Sequence, residues 1–179
     1  SAEIIDIMEF QDLVLKVLEE RLNKKMEEYS HQLVNNYFRN TDNIEDVDLN
    51  KIQSELGMNP ELEDIYIIDE NGVVVNTTFE KDLGLNFFSF GEEHKNLLLN
   101  VLDEGKFVSE RFAMEAKTKR LKKYTYQPTQ DGKYIVELGI YSSEADEIIN
   151  HIKETINDLA NAQASIVDVN LFISKDNPF

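Results

Sequence analysis

The 179-residue sequence predicts an α+β fold, in which a long N-terminal helix packs on a five-stranded antiparallel sheet. Three observations lead to this prediction. Residues 4–38 contain no Gly or Pro and repeat apolar residues at helical spacing. Two β-rich runs then flank an Asn71-Gly72 turn, the strongest short signal for a hairpin. Three more alternating runs follow a helical insertion, an order typical of antiparallel α+β domains.

The first helix is predicted from Ile4 to about Phe38. Its apolar residues recur mostly at steps of three and four, and the opposite face is charged. At 1.5 Å per residue, roughly 35 residues give a rod of about 50 Å, which exceeds the width of a small domain. Two interpretations stay open: the helix packs along its own domain, or one end forms a stalk and dimer seam. The apolar pattern does not hold a strict heptad, so a continuous coiled coil is not predicted.

Polar residues 40–43 end this helix, and a short second helix is predicted from Asp48 to Leu56. Asp48 is expected to cap its N-terminus, and Gly57 stands just past its end. Pro60 then precedes the sheet. The remaining elements are predicted in this order: strands at 64–69 and 73–77, a helix at 92–102 ended by Gly105, strands at 106–115, 120–127 and 134–141, and a closing helix at 143–162.

The composition excludes several classes of function. Acidic residues number 35 and basic residues 18, which gives a formal net charge of -17. This charge repels phosphate backbones and anionic lipids, which argues against nucleic-acid and membrane-surface binding. The absence of cysteine excludes disulfides, thiol catalysis and cysteine-based zinc sites. No run of about 18 apolar residues could span a bilayer, and the Ser-Ala-Glu start leads us to expect an excised piece of a longer protein.

The sequence carries no recognisable catalytic motif. It lacks a Gly-rich phosphate loop, a Gly-Xaa-Ser-Xaa-Gly elbow and a kinase signature. His31, His94 and His151 lie on separate predicted helices, without a second ligand at metal-binding spacing. The acidic loop at 42–48 lacks the Gly and the closing Glu of a calcium loop. We therefore expect no enzymatic activity in the chain itself, no metal and no cofactor.

A basic cluster stands out against the acidic background. Six of the 18 basic residues fall within thirteen positions: Arg111, Lys117, Lys119, Arg120, Lys122 and Lys123. Strand alternation places Lys122, Tyr124 and Tyr126 on one face. Cations and phenol hydroxyls on a concave face suit the binding of a carboxylate. The alternative is that these cations are solvated or paired with the many acidic residues.

The candidate ligand-binding residues are the basic and aromatic side chains expected on this sheet face. They are Arg111, Lys122, Tyr124, Tyr126, Phe88 and Tyr141. Phe88 belongs with Phe87 and Phe90 to an aromatic cluster, which forms either core or the lid of a pocket. The face assignment depends on strand register. A slip of one residue would exchange three of the strand's residues for Leu121, Lys123 and Thr125.

Four segments, in this order and spacing, carry a resemblance to a known family. They are residues 65–75 (IYIIDENGVVV), 83–87 (LGLNF), 122–128 (KKYTYQP) and 131–139 (DGKYIVELG). They resemble the Cache domains, also called PDC domains, which are extracytoplasmic PAS-like sensor domains of bacterial and archaeal receptors. The long helix before the sheet is also similar to that family, and the resemblance covers roughly residues 4–160.

The resemblance implies a function outside the cytoplasmic membrane, in the periplasm or at the outer cell surface. Cache domains typically lie between two transmembrane helices of a receptor, and we expect the parent to be a membrane-anchored sensor histidine kinase. Chemoreceptors and cyclic-dinucleotide or phosphatase signalling proteins share the domain. The expected ligand is a small anionic or zwitterionic molecule, of the carboxylate or amino acid class, bound on the PAS-like sheet. We also expect a homodimer through the N-terminal helix.

A second hypothesis keeps the same fold without a small ligand. The chain would then be a dimerisation or protein-interaction module, with a pocket filled by its own Phe and Tyr side chains.

Three segments are expected along the chain. Residues 1–60 form the long helix and a short helical connector, and residues 61–163 form the PAS-like sensor domain with its closing helix. Residues 164–179 read as an extra strand or as the start of a truncated second module.

Overall fold

The computed structural model of the protein describes residues 1–40, 42–115 and 118–162. The α+β prediction is confirmed, because a long N-terminal helix and an antiparallel sheet account for most of these residues. The segment expected as an extra strand or second module, 164–179, lies outside the described residues.

The helices and strands follow the predicted order. They are α1 (Ala2–Gln32), α2 (Leu49–Glu55), β1 (Glu63–Asp69), β2 (Val74–Thr77), α3 (Glu92–Glu104), β3 (Val108–Ser109), β4 (Ala113–Met114), β5 (Leu121–Pro128), β6 (Tyr134–Tyr141) and α4 (Ser143–Ala162). A π-helical turn, Leu33–Tyr37, continues α1, and short 3-10 turns lie at Ile44–Asp46, Glu80–Asp82 and Phe87–Phe90. The first helix therefore extends over the predicted length.

The contacts divide the chain into two compact units. Unit 1 contains residues 1–22 with the described residues of 111–123 and 141–162, and unit 2 contains the described residues of 23–110 and 124–140. Helix α1 contributes residues to both units. The predicted segments 1–60 and 61–163 therefore do not coincide with these units.

The strand order in the sheet is β2-β1-β6-β5-β3, and β4 also pairs with β5. The central pair is regular over seven residues, with Tyr66 opposite Glu137 and Ile68 opposite Ile135. Residues directly opposite in an antiparallel pair share a face. This register places a buried carboxylate beside a buried tyrosine on the same side of the sheet.

The β1–β2 hairpin forms at the predicted Asn71-Gly72 turn. The Asp69 carboxylate accepts hydrogen bonds from the backbone N–H groups of Asn71 and Val73, both at 2.9 Å. Gly72 has φ of 82°, and a Cβ at this position would lie 2.5 Å from the Phe88 ring. The turn needs glycine for its left-handed backbone and for the close approach of that ring.

The prediction of a single strand at 106–115 is wrong, because this segment forms two short strands, β3 and β4. Between them the backbone N–H of Phe112 donates to the Glu19 carboxylate at 3.2 Å. A side chain of α1 thus takes a donor that a continuous strand would give to its neighbour. Alternation in the sequence could not reveal this interruption, since the acceptor lies 93 positions away.

Two helix caps agree with prediction. The Asp48 side chain accepts from the backbone N–H of Lys51 at 3.0 Å, and Gly105 ends α3 with φ of 68°. Helix α4 begins at Ser143, as predicted, and the hydroxyl of the preceding Ser142 accepts from Ala145 N at 3.1 Å.

Each unit has its own apolar core. In unit 1 the core is made of residues from α1, β5, α4 and the segment between β3 and β4: Leu15, Leu18, Phe112, Leu121, Ala145 and Ile149. In unit 2 it joins one sheet face to α3 and the Phe87–Phe90 turn: Tyr66, Ile68, Val74, Phe87, Leu98, Val101, Tyr126 and Ile135. Burial of these side chains is the main stabilising term.

Candidate functional site

The sheet face of unit 2 that packs against α3 combines apolar core with buried polar groups. Tyr66, on β1, stands opposite Glu137, on β6, and Glu137 is only 3% exposed. Tyr126, on β5, is buried in the same cluster, and its hydroxyl donates to the carboxylate of Glu110. We call this group of four, Tyr66, Tyr126, Glu110 and Glu137, the sheet-face cluster.

Aromatic rings cover the sheet-face cluster. The His94 ring, on α3, lies edge-on to the Tyr126 ring at 6.4 Å between centroids and to the Phe87 ring at 5.9 Å. The centroid of the Phe90 ring lies 5.2 Å from that of Phe87, so the Phe87–Phe90 turn places aromatic rings on this side of the sheet. Tyr66, Tyr126 and Glu137 are buried beside these rings, whereas Glu110 is half-buried.

Burial and acidic neighbours set the protonation states in this region. Burial is the main reason that the pKa values of Tyr66 and Tyr126 are raised, and the charge of Glu137 raises both further. Burial lowers the pKa of His94, while the Glu110 charge opposes this. Both phenols are therefore neutral donors at physiological pH, and His94 is neutral in most molecules.

Two of the predicted ligand-binding residues pack against the rim of this cluster. Phe88 and Tyr124 are partly buried against the unit 2 core. The Lys95 ammonium lies 5.6 Å above the Phe88 ring. The structure thus brings Phe88, Tyr124 and Tyr126 together in unit 2, and the alternation of β5 predicted this for the two tyrosines.

Two other predicted residues, Lys122 and Tyr141, lie in unit 1. The Lys122 ammonium is 4.6 Å from the centre of the Tyr141 ring, and the Arg120 guanidinium is 4.5 Å from the same centre. The Tyr141 hydroxyl donates to Glu115 at 2.7 Å. Burial alone would raise the pKa of Glu115, but hydrogen bonds from Thr118 and Tyr141 and the neighbouring cations bring it below the ordinary value. Lys122 and Tyr141 stand in a network of cations and an ionised carboxylate.

Arg111, the remaining predicted residue, is occupied by carboxylates of its own chain. Its Nη2 lies 2.8 Å from Asp12 Oδ1, and its Nε lies 3.3 Å from Glu19 Oε2. Both partners belong to α1. The break between β3 and β4 turns this residue to the helix, where it holds the pKa of Asp12 below its usual range. Its position supports a structural contribution, and a ligand would have to displace both carboxylates.

Sequence analysis missed Glu110, Glu137 and His94. Glu137 lies in an otherwise apolar strand, which is the one sequence signal that could have marked it, because a lone acid at a core position needs a partner. Glu110 and His94 carried no such signal. They join the cluster only through the pairing of β3 with β5 and the packing of α3.

A cavity in unit 2 lies between the end of α1 and the β5–β6 turn. Its volume is about 420 Å³, and its polar lining includes His31, Asn35, Gln127, Gln130 and Asp131. The side chain of Gln130 donates to Asn35 at 2.9 Å across it. Within residues 1–40, 42–115 and 118–162, no His, Asp and Glu side chains group as metal ligands. Over the same residues, no helix is long and apolar enough to cross a membrane.

No protein-family model matches the chain, and no curated protein matches it. Among solved structures the chain is similar to YkuI of Bacillus subtilis, a protein with an EAL domain that was crystallised with its substrate c-di-GMP and calcium. The TM-score is 0.54 at 14% sequence identity, over 70% of this chain and 33% of that one. This chain therefore spans about a third of the length of that protein. At such low identity the likeness shows the α+β fold alone.

Proposed function

We propose that the chain is the ligand-sensing domain of a membrane receptor, extracytoplasmic in position, which binds a small molecule on the sheet face of unit 2. The observation that carries the proposal is the sheet-face cluster. Two neutral phenols and the carboxylate of Glu137 lie buried beside aromatic rings, and the half-buried carboxylate of Glu110 accepts a hydrogen bond from Tyr126. Buried polar groups are costly unless they are satisfied, and they are found most often where a protein uses them.

The charge of this face favours a zwitterion over a simple anion. The charge of Glu137 raises the pKa values of both Tyr66 and Tyr126, and the charge of Glu110 raises that of Tyr126. Carboxylates attract an ammonium group and repel an anion. The amino acid class therefore fits these residues better than a dicarboxylate does, with its ammonium toward the glutamates and its apolar part against the aromatic rings.

The helices would transmit the effect of ligand binding to the rest of the receptor. Binding changes a two-state equilibrium only by the difference in affinity for the two states. Helix α1 contributes to both compact units, so it is the element through which such a difference could reach the rest of a receptor. We propose a sensor histidine kinase as the parent. The likeness to a protein with an EAL domain is also compatible with a cyclic-dinucleotide signalling protein.

A thermal-shift screen of the chain with amino acids, amines and dicarboxylates tests the proposal. A ligand that binds only the folded state stabilises it by about 2.7 kcal/mol at a hundredfold excess over Kd. We expect an amino acid or amine to raise Tm in wild type and to do so less in Tyr124→Phe. Tyr134→Phe is the matched control, because its hydroxyl contacts Glu45 near the protein surface. An amino acid or amine that raised Tm equally in all three proteins would contradict the assignment to this face.

One observation favours the second hypothesis, a dimerisation module. Phe10, Leu13 and Val17 are 62%, 59% and 53% exposed on α1. Their spacing of three and four residues places them in one row along the helix, the pattern of a coiled-coil seam. A second copy of the chain could cover this row in a self-complementary contact.

Sedimentation velocity over a range of concentrations tests the dimer. We expect wild type to shift toward dimer as concentration rises, and Leu13→Glu to remain monomeric. Leu83→Glu introduces the same charge at an apolar residue of unit 2 that is 58% exposed, and it should leave the dimer intact. A monomeric wild type at all concentrations would exclude this role for the row, without bearing on ligand binding by the sheet face.

A further inference from the structure

A cavity in unit 1 gathers basic side chains in an otherwise acidic protein. It has a volume of about 290 Å³ and lies between the β4–β5 connection and the first half of α4. Three cations, Lys119, Arg120 and Lys153, line it together with a single carboxylate, Asp146. The cavity is therefore locally basic, although the whole chain carries a net charge of -17.

Arg120 is held in place from two sides. Its Nε lies 3.3 Å from Asp146 Oδ2, and its guanidinium carbon lies 4.5 Å from the centre of the Tyr141 ring. Asp146 is fixed in turn by the backbone N–H of Leu121 at 2.8 Å. The terminal nitrogens of Arg120 make no hydrogen bond to any described residue. A planar guanidinium that is oriented in this way presents the fork that matches a carboxylate or a phosphate.

The two lysines have no carboxylate of their own. Neither Lys119 nor Lys153 forms an ion pair with any residue in the described part of the chain. Lys119 has φ of 58°, a left-handed conformation that is uncommon outside glycine, and its backbone N–H donates to Glu115 O at 2.9 Å. Lys153 lies one helical turn after Asn150, which adds amide donors to the same cavity.

The cavity has an apolar floor. Leu121 and Ile149, which line it, are almost fully buried in the unit 1 core, and Met114 packs against the same core. Water has less access above an apolar floor than over an open surface. Interactions between the cations and an anion are correspondingly less screened there.

From this geometry we propose that unit 1 carries an anion-binding site, in which Arg120, Lys119 and Lys153 hold the phosphate or carboxylate group of a small molecule. The site shares no residue with the sheet-face cluster. It can be tested independently of the proposed function, since the two assignments call for different ligand groups at different residues, an ammonium group at the sheet-face cluster and an anionic group here.

Titration of the ¹⁵N-labelled chain with inorganic phosphate, and separately with succinate, tests the site by NMR. Chloride at matched ionic strength is the reference. We expect saturable shifts at the backbone amides of 118–121 and at the Asn150 side-chain amide. Shifts that are linear in concentration, or that spread over lysines throughout the chain, would overturn the proposal.

Two charge-removing variants test whether the two lysines contribute to the affinity for the anion. Lys119→Asn tolerates the left-handed backbone, and Lys153→Gln keeps the length and polarity of the side chain on α4. Each should weaken binding about tenfold or more, since each removes a charge-assisted contact. Lys106→Gln removes the same charge from an exposed position of unit 2 and should leave the affinity unchanged. Equal affinity in all four proteins would overturn the proposal, and the dispersed spectra show directly that each variant is folded.

Vesicles distinguish the two sources of the anion. Retention on phosphatidylcholine vesicles that contain phosphatidylglycerol, lost in Lys153→Gln and competed by phosphate, would identify a lipid headgroup. Saturable phosphate binding without vesicle retention would identify a free metabolite. Either result supports an anion site, and the absence of both refutes it.

Discussion

Replacing Arg111 by Ala tests whether this residue stabilises unit 1 or binds a ligand. Its guanidinium joins two residues of α1, Asp12 at 2.8 Å and Glu19 at 3.3 Å. Glu19 is 7% exposed, and its only other described donor is the backbone N–H of Phe112 at 3.2 Å. We therefore expect Arg111→Ala to destabilise the protein, because it leaves a buried carboxylate with one donor.

The two ion pairs of Arg111 contribute different amounts to the free energy of unfolding. The Asp12 side chain is 45% exposed, so its pair contributes about 0.2–1 kcal/mol, the range of solvent-exposed ion pairs. The Glu19 side chain is 9% exposed, and loss of a donor to a buried charged group costs about 1–3 kcal/mol. We expect a total loss of about 2 kcal/mol, which lowers Tm by roughly 4–8 °C in a domain of this size.

Urea denaturation at pH 7 measures this loss, with Lys16→Ala as the matched control. Lys16 contacts the same Asp12 at 2.9 Å, but its side chain is 57% exposed, and its removal should cost no more than about 0.5 kcal/mol. Equal stability of the two variants would refute the reasoning. If Arg111 serves α1 alone, a ligand that raises Tm in wild type should raise Tm equally in Arg111→Ala.

The loss of stability in Arg111→Ala should also depend on pH. The hydrogen bond from Arg111, and then that from Lys16, lower the pKa of Asp12 from its ordinary value of 3.8. A carboxyl whose folded pKa is lowered contributes stability above the unfolded pKa, and this stability is lost as pH falls through the folded pKa. The difference between wild type and Arg111→Ala should therefore narrow below about pH 4. A difference that widened in acid would contradict this assignment.

Three further variants probe the fold. Gly72→Ala should cost about 2 kcal/mol or more in urea denaturation, because the added Cβ meets the Phe88 ring at 2.5 Å in a left-handed backbone; a loss below about 0.5 kcal/mol would show that the ring moves freely. Asp48→Ala should cost about 1 kcal/mol by removing the cap of α2, and Asp48→Asn should restore most of it. Tyr126→Phe should cost about 1–3 kcal/mol, since Glu110 loses a buried donor; unchanged stability would mean that water replaces the hydroxyl.

Local signals in the sequence were sufficient for the elements that depend on neighbouring residues. The hairpin at Asn71-Gly72, the cap at Asp48 and the left-handed end of α3 at Gly105 all formed where these residues predicted them. The backbone preference of each residue acts within a few positions, so a turn or cap needs no tertiary partner. The length of the first helix was predictable for the same reason, since no Gly or Pro interrupts it.

The composition of the candidate sites depends on contacts between residues that are far apart in the sequence. Alternation in β5 correctly placed Tyr124 and Tyr126 together, but it could not show that Arg111 would turn toward α1. The two acids that hold this guanidinium lie 92 and 99 positions away in the sequence. Four residues of the basic cluster, Arg111, Lys119, Arg120 and Lys122, are accordingly distributed among ion pairs, cation–π contacts and the lining of a cavity.

The sequence by itself determined the fold class, the element order and the segments that carry the aromatic and basic side chains, because hydrophobic period and turn chemistry are local properties. Tertiary structure alone decided which polar and charged side chains lie close together. Strand pairing brought Glu137 beside Tyr66, the pairing of β3 with β5 brought Glu110 to Tyr126, and α4 brought Asp146 to Arg120. Electrostatic interactions depend on distance and burial, and both are properties of the folded chain.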